Sequence, residues 1–320
     1  MNHGQGAVTA LALARGETEL VSADGAGRLL RWRRETGEAL CSMFVAHRSS
    51  IWAMLLTSDD AEIVTAGSDG TLGRWHRTTS TPATDPLTAH ADWILALRAT
   101  RDGSELLTAA HDGTVRRWNR ADGASLADPL AAHDGAVRAM ALTAEDREIV
   151  TAGNDGAVRL WDREGAALLT QFGGHIGPVP ALAVSADGAE IVTGGRDGTV
   201  RRWDRVGGGP IGASLVAGAP VRVLALTGDG EIVAGCDDGT VRRWRRADGR
   251  PVGTALETAH LSVWAITVTA DGREVVTGGW DGFIRRWARD PAEPEILRQA
   301  RSRSRIVAAP RLLIRGATPF

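Results

Sequence analysis

The sequence contains no lysine and no tyrosine, and only two of its 320 residues are cysteine. Cys41 and Cys236 cannot form the dense disulfide framework of a small secreted domain, so a reducing compartment is favoured. A net charge of −2 argues against nucleic-acid binding through overall basic charge. No apolar run approaches the roughly 20 residues of a membrane-spanning helix, and the N-terminal residues show no basic-then-apolar signal pattern. We therefore expect a soluble, cytoplasmic protein without a membrane or nucleic-acid partner.

A seven-residue motif organises the chain. The motif Asp-Gly-Thr-Val-Arg-Arg-Trp occurs three times, at Asp112–Trp118, Asp197–Trp203 and Asp238–Trp244. A degenerate copy opens the series and three looser copies complete it, at Ala26–Trp32, Asp69–Trp75, Asp155–Trp161 and Asp281–Trp287. The motif tryptophans follow one another at intervals of 41 to 43 residues. Such a period indicates a repeated supersecondary unit.

Each unit has the same order of parts, which the fourth unit illustrates. His133 is followed by two apolar runs, Val137–Leu142 and Glu148–Gly153, by an Asp-Gly pair, and by further apolar runs at 157–161 and 166–172. Short runs rich in Val, Ile and Thr between glycines and aspartates predict strands, and Asp-Gly predicts a hairpin. No window has the sustained 3.6-residue period of a helix. Four short antiparallel strands, repeated seven times, predict an all-β fold of the β-propeller type.

The order of histidine, apolar strand, Thr-Ala-Gly-x-Asp-Gly and x-Trp resembles the WD-repeat family over residues 3–299. The resemblance implies a seven-bladed β-propeller of four-stranded antiparallel blades around a central channel. We expect one domain over residues 1–300, followed by an arginine-rich C-terminal tail at 301–320. The expected blades are approximately 3–45, 46–88, 89–131, 132–173, 174–216, 217–258 and 259–300.

The resemblance also implies a hydrogen-bonded tetrad of histidine, threonine, aspartate and tryptophan in each blade. Blades two and three would contain His47, Thr65, Asp69, Trp75, His90, Thr108, Asp112 and Trp118. Blades four, five and seven would contain His133, Thr151, Asp155, Trp161, His175, Thr193, Asp197, Trp203, His260, Thr277, Asp281 and Trp287. Five repetitions of one constellation argue for a structural role, because an active site needs a single cleft. Histidines dispersed one per blade also argue against a metal site, and no glycine-rich phosphate loop is present.

Two blades depart from the tetrad pattern. In blade six Ala217 stands at the histidine position and Ala234 at the threonine position. In blade one Ala26 replaces the aspartate, and His3 is one residue out of phase. We expect these two blades to be the least rigid.

A glutamate and an arginine also recur in every unit. The glutamates lie seven residues before the turn position, at Glu19, Glu62, Glu105, Glu148, Glu190, Glu231 and Glu274. The arginines lie two residues after the tryptophan, at Arg34, Arg77, Arg120, Arg163, Arg205, Arg246 and Arg289. If Thr151 pairs with Leu160, Glu148 lies opposite Arg163. We interpret the pair as a cross-strand ion pair within each blade rather than as a charged binding ring.

The sequence is compatible with two ways of closing the ring. Blade one has four strands of its own, with Gly37–Phe44 outermost, so blade seven would take its outer strand from Pro294–Ala300. Either the ring closes without an interlock, or the tail at 301–320 supplies one.

Four tryptophans lie outside the motif. Trp52, Trp93 and Trp264 follow the blade histidines, where the inner strand begins, and Trp280 precedes the turn residue Asp281. Other blades have unrelated residues at the matching places, among them Arg138, Pro180, Arg222, Asn154, Arg196 and Asp237. A core position would be apolar in nearly every copy, so this variability predicts exposure on the face of the ring that carries the Asp-Gly turns. We call this face the top face.

The tryptophans would lie on blades seven, two and three, with only the small residues Ala7 and Thr9 of blade one between them. This arrangement predicts an aromatic crescent with a shallow floor, facing an arginine-bearing half formed by Arg138, Arg196 and Arg222. Tryptophan and arginine are enriched in interface hot spots, and a large exposed apolar patch usually marks an interaction site. The alternative is that the indoles fold over the rim and cover the channel mouth.

The leading hypothesis is a monomeric, non-enzymatic scaffold that binds a peptide or a partner domain on the top face. Trp52, Trp93, Trp264 and Trp280 would anchor the ligand, and the three arginines would select its acidic groups. No cofactor, metal or small-molecule substrate is predicted. The alternatives are a hydrolase-like enzyme at the channel mouth with His111, Asp237 and Asp92, a sensor module of a larger regulatory assembly, a nucleic-acid or membrane contact through the tail, and an array without an evolved ligand.

Overall fold

The computed structural model describes residues 1–3 and 6–288. Within these residues the chain forms strands and turns only, arranged as seven consecutive antiparallel sheets. The predicted all-β, seven-bladed propeller is thus confirmed. No helix long and apolar enough to cross a bilayer occurs in the described part of the chain. The expected outer strand at Pro294–Ala300 and the tail at 301–320 lie outside the described residues.

Each blade begins with an inner strand next to the channel. The inner strands are Val8–Leu13, Ile51–Leu56, Ile94–Ala99, Val137–Leu142, Ala181–Val184, Val221–Leu226 and Val263–Val268. The second strands are Glu19–Asp24, Glu62–Gly67, Glu105–Ala110, Glu148–Gly153, Glu190–Gly194, Glu231–Cys236 and Glu274–Gly279. The third strands are Arg28–Arg33, Thr71–His76, Thr114–Asn119, Val158–Asp162, Thr199–Asp204, Thr240–Arg245 and Ile284–Ala288. The outer strands of the first six blades are Phe44–Val45, Leu87–Thr88, Leu130–Ala131, Leu168–Phe172, Leu215–Val216 and Leu256–Glu257.

The seven inner strands form a closed ring around the central channel. Each inner strand contacts the inner strands of the two neighbouring blades, and the strand of blade seven contacts that of blade one. The core lies between the faces of adjacent blades. Between blades four and five, for example, Val158 and Phe172 pack with Trp203 and are almost fully buried. Burying such apolar side chains stabilises the fold by about 1.5–3 kcal/mol each.

The N-terminal residues pair with blade seven, so the alternative that the ring closes without an interlock was wrong, whereas the alternative that the tail at 301–320 supplies one lies outside the described residues. Asn2 forms an antiparallel bridge with Phe283 in blade seven. His3 N donates to Gly282 O at 2.9 Å, and Ile284 N donates to Met1 O at 3.0 Å. Residues 1–3 therefore pair with the third strand of blade seven, where the other blades place their own outer strand. Sequence analysis missed this pairing because three residues carry too little strand signal to be recognised.

The recurrent glutamates and arginines join neighbouring blades, so the predicted pairing within one blade was wrong. Thr151 pairs with Arg159, which places Glu148 opposite Asp162 and not opposite Arg163. Arg163 instead reaches back to the preceding blade, 2.8 Å from Glu105. The same contact recurs from blade to blade in Arg77–Glu19, Arg120–Glu62, Arg205–Glu148, Arg246–Glu190 and, across the closure, Arg34–Glu274. Arg289, which would complete the series with Glu231, lies outside the described residues.

A second arginine holds most of these glutamates from within the blade. It precedes the motif tryptophan, as in Arg74–Glu62 at 2.9 Å and Arg117–Glu105 at 3.1 Å. Blade four has Leu160 at this place, so Glu148 pairs with Arg205 alone. Among the described residues, five junctions therefore have an ion-pair network and the junction of blades four and five has a single pair, all at the face opposite the Asp-Gly turns.

Candidate functional site

The tetrad residues come together in all five blades that contain the full set. In blade three Trp118 Nε1 donates to Thr108 Oγ1 at 2.9 Å, and that hydroxyl lies 2.7 Å from His90 Nε2. His90 Nδ1 lies 3.0 Å from the Asp112 carboxylate. The same three contacts, between 2.8 and 3.1 Å, recur in blades two, four, five and seven. Each network ties the Asp-Gly turn to the loop that leads into the blade.

Burial favours the neutral form of four of the tetrad imidazoles. It lowers the pKa of His90, His133, His175 and His260, although the facing carboxylate partly opposes the change. The carboxylates remain ionised: burial is the largest effect on Asp112 and raises its pKa, but hydrogen bonds from His90 and Thr114 outweigh it. A neutral histidine that accepts a hydrogen bond at Nε2 and donates one from Nδ1–H satisfies both partners. Each tetrad therefore has the interactions that a structural role requires.

Blade one has a substitute network, which corrects the expectation that it lacks the turn carboxylate. Asp24, two residues before Ala26, lies 3.1 Å from His3 Nδ1 and is fully buried. Trp32 Nε1 donates to Ser22 Oγ at 2.7 Å. Burial raises the pKa of Asp24, but hydrogen bonds from His3 and Arg28 outweigh it and leave the pKa at about 2. The one-residue shift of His3 is matched by a shift of its carboxylate partner.

Blade six is the incomplete blade. Ala217 N donates to Gly198 O, as Ala132 N donates to Gly113 O in the neighbourhood of His133. Ala217 therefore stands one residue before the histidine place, which Gly218 takes, so the sequence assignment was off by one. Ala234 is fully buried and has no hydroxyl for the motif tryptophan of this blade.

The four additional tryptophans lie on the top face, but in two different registers. Trp52 and Trp264 are the second residues of their inner strands, at the point where the pairing register shifts. Such a bulge re-aims a side chain. Trp93 precedes its inner strand by one residue, so it does not match Trp52 as predicted. Trp280 lies in the Asp-Gly turn of blade seven.

The indoles form a continuous stack instead of the predicted crescent. Trp52 lies between Trp93, at a ring-centroid distance of 6.2 Å and an interplanar angle of 20°, and Trp264, at 5.6 Å and 21°. Trp280 leans against Trp264 at 4.9 Å and 46°. The shallow floor is absent because Thr9 is small enough for the indoles of blades two and seven to meet across blade one. Offset stacking of this kind contributes about 0.5–1.5 kcal/mol per pair beyond area burial.

The stack presents both exposed rings and unsatisfied donors. Trp93 is 48% exposed and Trp280 is 54% exposed, whereas Trp52 and Trp264 are half-buried. The Nε1 atoms of Trp52 and Trp264 are buried without an acceptor among the described residues. Each buried N–H left unpaired costs about 1–3 kcal/mol. A stack that carries this cost and exposes two of its rings is a candidate binding surface.

The three predicted arginines lie close to one another, and Arg222 lies beside the stack. The guanidinium of Arg222 lies 4.4 Å from the ring centroid of Trp264 and forms an ion pair with Asp237. Burial lowers the pKa of Arg138, and the charges of Arg196 and Arg222 lower it further.

The charges of two of these arginines are uncompensated. Arg138 donates to the neutral amide of Asn154 at 2.6 Å. Within residues 1–3 and 6–288, neither Arg138 nor Arg196 has a carboxylate partner. The arginine half of the top face therefore carries two positive charges that an acidic ligand could neutralise.

The candidate catalytic residues fall into two groups. His111 Nδ1 lies 3.2 Å from the Asp92 carboxylate, and both side chains are exposed beside Trp93. Asp237 is held instead by Arg222 and by Ser262 Oγ at 2.9 Å. The described residues contain no cluster of three or more His, Cys, Asp or Glu side chains that could hold a metal ion. Of the three candidates, only His111 and Asp92 therefore contact each other, and Asp237 contacts neither of them.

Comparison with known proteins identifies the repeats. The family model for the WD domain, G-beta repeat, matches residues 38–76, 82–119, 125–162, 166–204, 213–245 and 249–288. These six matches cover more than half of the chain. Each begins before the outer strand of one blade and ends at the third strand of the next blade. No curated protein matches the chain.

Proposed function

Because the chain belongs to the WD40 repeat family, whose propellers commonly serve as protein-interaction scaffolds, we propose that it is a non-enzymatic module that binds a peptide or a partner domain. The ligand binds on the top face of a monomeric propeller. Trp52, Trp93, Trp264 and Trp280 anchor it, and Arg138, Arg196 and Arg222 select its acidic groups. The free cysteines, Cys41 and Cys236, suit a cytoplasmic setting.

The continuous indole stack is the observation that carries this proposal. The repeated framework does not require these four tryptophans. Other blades fold with Thr9, Leu95 or Arg138 at the place of Trp52 and Trp264, with Ala136 at the place of Trp93, and with Asn154 at the place of Trp280. Large aromatic side chains at a surface with a neighbouring arginine are typical of binding hot spots. Trp93 and Trp280 offer exposed rings at the two ends of the stack, and Arg222 lies over Trp264 between them.

The experiment combines affinity capture with a measurement on the purified pair. Proteins captured by the wild-type propeller and lost by the double variant Trp93→Ala/Trp264→Ala are identified by mass spectrometry, purified and titrated by calorimetry. We expect the double variant to weaken binding about 30-fold or more, since a hot-spot loss of about 2 kcal/mol corresponds to that factor. Circular dichroism and thermal melting test that the variant is folded.

A matched control removes exposed apolar side chains elsewhere. Leu169 and Val206 are 49% and 79% exposed and lie away from the stack, so Leu169→Ala/Val206→Ala should bind as the wild type does. The variant Arg138→Ala/Arg196→Ala should weaken binding and reduce its salt dependence. Equal affinity of the wild type and the double tryptophan variant for every captured protein would refute the proposed site.

An enzymatic function has less support. His111 and Asp92 form one hydrogen-bonded pair near the channel mouth, which is the observation that favours hydrolysis. This second function would be favoured if the wild type hydrolyses ester or glycoside substrates and His111→Ala does not.

A further inference from the structure

The inner strand of blade three contains an arginine that has no counterpart in the other blades. Arg98 pairs with Leu107 of the second strand. The residues in the same register of the other six blades are Ala12, Leu55, Ala141, Ala183, Ala225 and Thr267. The repeat therefore folds with a small, aliphatic or hydroxyl side chain at this level, and the fold itself does not require arginine.

Two observations indicate that the side chain of Arg98 faces the central channel. It is exposed to solvent, although its strand is the innermost of the blade and contacts the inner strands on both sides. Burial nevertheless lowers the pKa of this guanidinium below its usual value, so protein surrounds the group on many sides. Exposure and a lowered pKa are compatible if water reaches this side chain only through the channel.

Arg98 also has no charged partner. Its hydrogen bond joins Nη1 to the carbonyl oxygen of the adjacent Leu97 at 2.8 Å. No carboxylate in the described part of the chain forms an ion pair with it. Arg117 of the same blade shows the contrast, since it contacts both Glu105 and Glu164. Most of the five N–H donors of the Arg98 guanidinium are therefore available to a ligand.

We propose that the central channel binds a small oxyanion, phosphate or a carboxylate, on the guanidinium of Arg98. The planar fork of a guanidinium matches two oxygens of such an anion. The small residues at the same level of most other blades leave room beside Arg98, and Thr267 contributes a hydroxyl group at that level. A cation that is partly removed from water without a partner is costly, and a bound anion offsets this cost. This site is separate from the indole stack and does not depend on the function proposed above.

Calorimetric titration with inorganic phosphate tests the site on the full-length chain. The informative variant is Arg98→Leu, because leucine occupies the same register in blade two. We expect phosphate to bind the wild type and to bind Arg98→Leu at least tenfold more weakly. Phosphate should also raise the melting temperature of the wild type but not that of Arg98→Leu. Without phosphate, the variant should melt at or above the temperature of the wild type, since an unpaired charge has been removed.

Two controls separate this site from other arginines. Arg147 is exposed and paired with Glu145, so Arg147→Leu should bind phosphate as the wild type does. Arg250→Leu should also retain binding, because Arg250 is exposed and paired with Asp248. Acetate replaces phosphate in a parallel titration, and the tighter of the two identifies a doubly charged ion or a carboxylate as the preferred ligand. Failure of both ions to bind the wild type, or binding that survives Arg98→Leu, would overturn the proposal.

Discussion

The ion pairs between blades make a quantitative prediction about how the ring is held together. Glu274 of blade seven receives N–H groups from Arg34 of blade one and from Nε and Nη2 of Arg286 in its own blade. Glu148 of blade four receives one group only, Nη1 of Arg205, at 2.7 and 2.9 Å from its two oxygens. The same substitution, glutamate to glutamine, should therefore cost more at the closure than at the junction of blades four and five.

The magnitude follows from burial and from the number of donors. Removing one partner of a buried ion pair costs about 3–5 kcal/mol, and the Glu274 side chain is only 9% exposed. Because the two arginines can reach solvent in part, we expect Glu274→Gln to cost about 3 kcal/mol, the lower end of that range. Glu148 has a single, more exposed partner, so Glu148→Gln should cost about 1 kcal/mol.

Urea unfolding measures both variants against the wild type. Tryptophan fluorescence and circular dichroism should give coincident transitions if the ring unfolds as one unit. Glu145→Gln serves as the control, because its ion pair with Arg147 is exposed and contributes less than about 0.5 kcal/mol. Equal losses for Glu274→Gln and Glu148→Gln would show that the number of donors and burial do not set the cost, and no loss for either would show that these pairs do not support the junctions.

The remaining predictions concern the tetrads. Burial lowers the pKa of His90, His133, His175 and His260, so the unfolded chain binds more protons than the folded chain below pH 6.5. The urea concentration at the unfolding midpoint should therefore fall as the pH decreases from 7.5 to 5. A constant midpoint would contradict neutral imidazoles in the folded protein. A further loss is expected below about pH 4, because the carboxyl of Asp24 has a pKa of about 2 when folded. In blade six, Ala234→Thr should supply the hydroxyl that accepts the Trp244 N–H and stabilise the protein by about 1 kcal/mol. Hydrogen exchange should then show blade six approaching the protection of blade four, and unchanged protection would count against the tetrad as a source of rigidity.

The fold could be predicted from the sequence because its signals are local. The Asp-Gly turn, the strand-forming runs and the spacing from His133 to Asp155 all lie within one unit, and each unit repeats them. The prediction failed where a contact crosses a blade boundary. Arg163 lies beyond the end of its third strand, and nothing within one repeat distinguishes a partner in its own blade from one in the preceding blade. The role of Asp24 was missed for a related reason. His3 and its carboxylate partner are both displaced along the sequence, so their hydrogen bond still forms although the repeat motif is lost.

The candidate site was only partly predictable. Variation among the copies identified the four tryptophans and predicted the exposure of Trp93 and Trp280 correctly. It could not reveal that Trp52 and Trp264 stack, because the contact joins residues of blades two and seven and depends on ring closure. Comparison of the copies also contains a signal for Arg98, the only charged residue in its register, but the register itself became certain only with the strand pairing.

The β-bulge explains how one framework can carry different surface chemistry. The register shift at the start of the inner strand recurs in six blades, and in the fifth Pro180 stands directly before the strand. The shift frees one residue of each blade from the pairing pattern and aims its side chain at the channel mouth. In the six blades this residue is Thr9, Trp52, Leu95, Arg138, Arg222 or Trp264. The residue two positions further along the strand is apolar in all six. The backbone feature is constant and its side chain is not, so substitution at the bulge can change the ligand without disturbing the core between the blades.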